Sequence, residues 1–232
     1  MDDKLFRFWK HSIGWTVFAI ALFTFGSTVE PTASFWDAGE YISTSAKLQV
    51  GHPPGAPLFQ MIGAFFALFA TSAQKVALMV NFMSVFSSAF TVLFLFWTLT
   101  ILFKKLPNFK NLENLTDRIG FFGSAAVGAL AFCFSDSFWF NAVETEVYAM
   151  ATLILSSLFW MGLRWEQEMN TPRGDRWLLM IAFVIGLSFG VHFMGLLTIP
   201  ALGMIYYFKN YQKVTFKGFV FANLISVAIL LF

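Results

Sequence analysis

Charge is what this sequence has least of. Only 12% of its 232 residues are Asp, Glu, Lys or Arg, about half the roughly 25% of a soluble domain. With a hydrophobic share of 58% and a mean hydropathy of +0.69, that deficit excludes an ordinary water-soluble globule. Cysteine is nearly absent too. The single Cys133, inside an apolar run, rules out an intrachain disulfide and suggests no cysteine metal site. The sequence carries no Gly-rich phosphate loop, no GxGxxG and no HExxH motif. It also has no basic surface that reads as a nucleic-acid interface, so no nucleic-acid partner is expected. The strict alternation of barrel strands is missing as well, and a backbone in lipid must then close its hydrogen bonds within helices.

Long apolar runs are what remains. The expected fold class is all-α, a polytopic transmembrane helical bundle forming one domain over residues 1–232. The apolar segment 226–232 stops without a cap or polar tail, so the chain reads as the front part of a longer membrane domain. Lys4, Arg7 and Lys10 precede an apolar run from Ile13 to Gly26 with no clean cleavage site after it, which reads as an uncleaved first helix. Candidate spans cover 12–29, 76–103, 119–138, 146–163, 176–191, 194–208 and 217–232. Residues 57–71 are apolar but too few for the roughly 20 that a crossing needs. If that segment lies at the interface or tucks into the bundle, thirteen of the fifteen Lys and Arg share one face, leaving Lys47 and Lys75 opposite. If it crosses, the cluster from Lys104 to Arg118 changes sides. The positive-inside rule selects the first arrangement. The face opposite the basic residues then collects Glu30, Asp37, Glu40, His52, Asp136, Glu144, Glu146 and His192.

Each of these polar groups has a plain reading beside a functional one. Asp37 and Glu40, in Ser34-Phe-Trp-Asp-Ala-Gly-Glu-Tyr41, are three apart and share a helix face. Ser34 with Asp37 also fits a capping pattern that merely starts a helix. Asp37 serves as a general base only within hydrogen-bond reach of an acceptor hydroxyl. His52-Pro-Pro-Gly55 is a stiff turn that either re-enters the membrane or presents His52 to a cavity. Lys47 is a phosphate contact or a snorkelling interfacial lysine. Glu144 and Glu146 diverge on a helix, so just one is expected to face a cavity, and as acids before a helix they also favour its dipole. His192, at the outer end of a span, is a ligand-binding or a structural histidine. A solute transporter or lipid-linked sugar flippase fits the same polar face, although no internal repeat supports it. A purely structural membrane subunit is the third reading.

The Phe-Trp-Asp-x-x-Glu-Tyr stretch and the His-Pro-Pro-Gly-x-Pro-Leu turn with its short apolar helix, together with Asn141-Ala-Val-Glu-Thr-Glu-Val-Tyr148 and Gly190-Val-His-Phe193, resemble the GT-C superfamily of membrane glycosyltransferases. The closer likeness is to its bacterial, Bacteroidetes-type group related to protein O-mannosyltransferases. This resemblance implies a GT-C-like fold with an interfacial helix in the first outer loop. It implies transfer of a sugar, mannose among the candidates, from a polyprenyl-phosphate donor to Ser or Thr hydroxyls of exported proteins, with inversion. Asp37 would be the base and Glu40 its assistant. His52 and Lys47 would contact the lipid phosphate, and Glu144, Glu146 and His192 would line the same cavity. The expected setting is a bacterial inner membrane with the site facing the periplasm. Partners are the lipid-linked donor, an exported acceptor protein and membrane lipids. Metal use differs across the superfamily; no cofactor and no metal ligands are assigned from the sequence.

Overall fold

A computed structural model of the chain describes residues 1–109 and 112–231. Lys110 of the basic cluster and Phe232 of the last candidate span lie outside them. The described residues form ten α-helices and no strand. They are α1 (Asp3–Ser27), α2 (Ala38–Lys47), α3 (Pro57–Ala67), α4 (Val76–Phe103) and α5 (Leu115–Cys133), then α6 (Asp136–Ala142), α7 (Val147–Glu168), α8 (Pro172–Ser188), α9 (Thr198–Asn210) and α10 (Phe216–Leu231).

Local chemistry starts several of these helices. The Asp2 carboxylate accepts the Leu5 N–H at 2.7 Å, and the Asn114 side chain accepts the Asp117 N–H at 2.7 Å. Pro57 and Pro172 occupy first-turn positions, where no intrahelical N–H is needed. Packing centres on α4. One of its sides meets α1 and α5 through Phe25, Phe96, Phe121 and Phe122, all fully buried. The other meets α3 and α7 through Phe59, Val80, Met83 and Met150. Two of the hydroxyls buried along α4 bond back within it: Ser87 donates to the Met83 carbonyl at 2.8 Å and Thr91 to the Ser87 carbonyl at 3.0 Å.

Two helical segments are long and apolar enough to cross a membrane by length and composition, Ala73–Phe103 and Val147–Glu168. The pair α5 and α6 makes a third if its two parts count as one span. The candidate span over 119–138 is divided between α5 and α6. The chain bends by 69° between α5 and α6, where Ser135-Asp136-Ser137 starts a new helix with an acid in its first turn. The first candidate span, 12–29, falls on α1 up to its end at Ser27, and the opening turns of that helix carry Asp3, Lys4, Arg7 and Lys10. The thirteen residues of α9 reach about 20 Å at 1.5 Å per residue, short of the roughly 30 Å of a bilayer core. The short apolar segment after His-Pro-Pro forms α3, which packs on α2 and α4 with Phe59 fully buried.

A backbone junction sets α3 against the turn that follows α8. The Leu58 and Phe59 amides, which open α3 and have no intrahelical partner, both donate to the Gly190 carbonyl, at 2.8 and 3.1 Å. A Cβ at position 190 would stand 2.7 Å from the Leu58 Cβ, so only glycine allows the approach. We therefore expect Gly190→Ala to push the loop off α3 and destabilise the protein by about 1–3 kcal/mol, the usual penalty of overpacking. Fully buried Cys133 supplies the measurement: its thiol should react with a maleimide dye at lower temperature in the variant. An unchanged reaction temperature would show that the junction tolerates a side chain.

Candidate functional site

The Ser34–Asp37 capping pattern does not form. Helix α2 begins at Ala38, so Asp37 is the residue just before it and makes no side-chain capping bond. Its backbone carbonyl accepts the Tyr41 N–H at 2.9 Å, while its carboxylate stays 57% exposed and free to act. The shift in helix start comes from Trp36, whose φ of 61° lies in the left-handed region, an uncommon place for a bulky residue.

Glu40, one turn further on, binds back to the His-Pro-Pro turn. Its Oε1 accepts the His52 backbone N–H at 2.6 Å, and its Oε2 lies 3.1 Å from His52 Nδ1. These two contacts, the backbone one first, hold the Glu40 carboxyl below its ordinary pKa. A carboxylate at Nδ1 assigns the proton to that nitrogen and leaves Nε2 with its lone pair. That Nε2 faces Asp37 Oδ2 at 3.9 Å. The turn itself contains a cis Pro53–Pro54 peptide and Gly55 at φ 79°.

The second polar island is brought alongside by Asn81 of α4, a fully buried side chain. Its Nδ2 donates to the carbonyls of Glu30 and Thr32, at 2.7 and 3.0 Å. Its Oδ1 accepts the Thr145 hydroxyl. The Glu30 N–H adds a bond of 3.0 Å to the Val143 carbonyl. One amide thus ties the loop leading to Asp37 to the loop leading to Glu146. His192 joins from the turn after α8. Its Nδ1 accepts the Met194 N–H at 3.2 Å, which assigns the ring proton to Nε2, the opposite tautomer from His52.

Asp37, His52, Glu146 and His192 meet at a cavity of about 370 Å³, walled also by Tyr41, Tyr148 and Phe189. The site therefore offers a free carboxylate, an imidazole lone pair and an imidazole N–H. Glu146 is only 7% exposed. Burial, with the Asp37 and Glu144 carboxylates adding to it, pushes its carboxyl up to about 7. Burial, followed by the Glu146 and Asp37 charges, pushes the Tyr41 phenol up to about 12.

Two sequence-selected residues stand apart from this cavity. Lys47 closes the last turn of α2, roughly 15 Å along the helix axis from Asp37, and is not among the lining residues. Glu144 is 3% exposed and also absent from the lining, with burial raising its pKa. The expectation that one acid of the Glu144/Glu146 pair faces a cavity thus falls on Glu146. Asn81 and Tyr41 escaped the sequence reading. A lone amide inside a long apolar helix was the available signal, since such a group must find partners.

An all-helical, charge-poor chain with membrane-length helices and a carboxylate–imidazole cavity at their ends is of the helical membrane protein class. The chain belongs to the protein O-mannosyl-transferase TMEM260 N-terminal domain family, whose model matches residues 37–215. It is 24% identical over 182 residues to the protein O-mannosyl-transferase tmem260 of Dictyostelium discoideum, a match covering 75% of this chain and 20% of that protein. It is 28% identical over 176 residues to protein O-mannosyl-transferase TMEM260 of Mus musculus, covering 74% and 22%. The matched region thus spans about a fifth of the length of these relatives. No solved structure matches the chain.

Asn81→Ala should leave the Thr145 hydroxyl and two loop carbonyls without their partner, at about 1–3 kcal/mol for buried unsatisfied groups. The expected readout is earlier thermal exposure of Cys133 together with easier proteolysis of the 28–37 loop. Wild-type values in both would remove the clasp as a determinant of the site.

Proposed function

We propose that this chain forms the catalytic face of a GT-C-type membrane glycosyltransferase. It moves a sugar, mannose first among the candidates, from a polyprenyl-phosphate donor to Ser or Thr hydroxyls of exported proteins. The chain then sits in the membrane with the basic loops cytoplasmic and α2 and α3 on the opposite face. In a bacterial inner membrane that face is periplasmic.

The observation that carries this reading is the Asp37 carboxylate, free of any capping bond, at a cavity shared with both histidines and Glu146. Family membership over residues 37–215 supports it. So does an apolar hollow of about 280 Å³ between α3, α4, α7 and α8, lined by Leu58, Met83, Met150 and Leu187 among others. It starts within three residues of the polar cavity on α3, α7 and α8, a suitable place for the lipid portion of a donor.

In the proposed reaction the acceptor hydroxyl gives its proton to Asp37 as its oxygen bonds to the anomeric carbon. The bond from that carbon to the phosphate oxygen breaks, and polyprenyl phosphate leaves with the electron pair. Attack opposite the leaving group inverts the anomeric centre. Glu40 holds His52 in place, and the His192 Nε2–H donates to the phosphate or to a sugar hydroxyl.

A general base contributes about 10²–10⁴ in rate. Asp37→Asn in the full-length protein should therefore cut glycan transfer by at least about a hundredfold, with expression and membrane insertion intact. Mass spectrometry of exported proteins from cells carrying either form reads the outcome. Normal glycan occupancy with the variant would sink the assignment.

A further inference from the structure

A second apolar hollow, of about 790 Å³, lies between α8, α9 and α10. It shares no lining residue with the Asp37 cavity or with the hollow beside that cavity. Ile181 and Ile185 of α8, Leu202 of α9 and Ile225 of α10 form its walls, with Trp165 of α7. From Gly218 to Ile229 the α10 wall runs roughly 16 Å at 1.5 Å per residue. Gly203 and Ser226 also line it, and a Cβ at position 203 would collide with the Ser226 hydroxyl. Helices α9 and α10 therefore meet directly there, and the hollow is set by backbone packing.

Its polar groups gather at one end. Tyr206, Tyr207, Tyr211, Lys213 and Thr215 all come from the end of α9 and the loop after it. The Tyr207 hydroxyl accepts the Thr215 N–H at 3.3 Å, which ties that loop to the helix. Trp165 stacks on Tyr206 with ring centres 6.3 Å apart. Aromatic rings with polar tips sit at the headgroup level of a bilayer. Charge at this end has one sign. After Asp175 no Asp or Glu occurs up to residue 232, while Lys209, Lys213 and Lys217 surround the loop. Lys213 is exposed, and no acid among the described residues pairs with it. The acids at the end of α7 are engaged elsewhere, Glu166 with Lys105 and Glu168 with Arg164.

We infer that this hollow holds an acyl chain of one anionic phospholipid, with the lipid phosphate at Lys213 inside the tyrosine rim. Basic pockets between helices are a known class of site for acidic headgroups. The apolar walls accept the chain of any lipid, so the choice of headgroup falls to the lysine. The Tyr211 hydroxyl, on the same rim, adds an O–H donor for a phosphate oxygen. A zwitterionic headgroup brings its own cation to this already basic end and gains less from it. The site stands apart from the Asp37 cavity and does not rest on the transferase reading.

The test uses the full-length protein in phosphatidylcholine nanodiscs, with phosphatidylglycerol carrying brominated acyl chains as the probe. Bromine quenches indole fluorescence on contact, and Trp165 lines the hollow. Brominated phosphatidylglycerol should quench more than the same mole fraction of brominated phosphatidylcholine, and the difference should vanish in Trp165→Phe. Lys213→Gln should raise the mole fraction needed for half-quenching about fivefold, the worth of one interfacial lysine. Lys213 is exposed in a loop, so that variant spares the packing and stays decisive; Cys133 reactivity checks the fold of Trp165→Phe. Equal quenching by the two lipids overturns the headgroup site, because bulk lipid then accounts for it. A difference that persists in Trp165→Phe places the anionic lipid elsewhere and overturns it too. No quenching of Trp165 by either lipid shows the hollow filled by protein, and an unmoved Lys213→Gln curve removes the phosphate contact; either result overturns the site.

Discussion

The site depends on one buried amide. Asn81 lies within a helix whose surroundings are almost wholly apolar, so its donors and its acceptor must be satisfied by protein groups. Those within reach are the carbonyls of Glu30 and Thr32 and the hydroxyl of Thr145. Satisfying them fixes two loops that are more than a hundred residues apart in sequence. Asp37 follows Thr32 by five residues, and Glu146 is the next residue after Thr145. The penalty for an unpaired buried polar group thus becomes a positional constraint on the acids. The Gly190 carbonyl, bonded to two amides of α3, does the same for His192. Three loops and one helix start converge because each has a backbone or amide group that cannot be left dry.

The two histidines show how such bonds set chemistry as well as position. Each ring has one nitrogen committed, His52 to a carboxylate and His192 to a backbone N–H. The committed nitrogen decides the state of the other, so one ring presents a lone pair and the other a proton. An acceptor and a donor of the same residue type therefore face one cavity. Neither assignment is visible from spacing, because both partners are twelve residues away or belong to a backbone turn.

Much of the frame is legible in the amino-acid sequence. The runs that become α4 and α7 stand out by length and apolarity alone, and the His-Pro-Pro-Gly turn declares itself by restricting its own dihedrals. The first-loop acids are legible as a pair. Their division of labour is not, because Ser34 satisfies the capping spacing in sequence while Trp36, in the left-handed region, delays the helix to Ala38. That single residue turns Asp37 from a would-be capping partner into a free carboxylate. The α5–α6 bend is hidden for a related reason: averaged hydropathy masks two serines and an aspartate that are enough to start a new helix. Lys47 is close to the acids in sequence, and ten helical residues carry it away.

The arrangement of polar and apolar space gives the proposed chemistry its direction. The acidic cavity and the apolar hollow use neighbouring positions on the same helices: Ala56 and Leu58 at α3, Val147 and Met150 on α7, Phe189 and Leu187 at the end of α8. A molecule with a charged head and a hydrocarbon tail can fill both without exposing either to the wrong medium. A free sugar nucleotide has no tail to place in the hollow, and a simple lipid has no use for two imidazoles. The pairing of spaces suits the amphiphilic donor of the proposed reaction. In the proposed reading a sugar carried on a polyprenyl phosphate is such a molecule, with its head group beside Asp37 in the acidic cavity and its chain in the hollow.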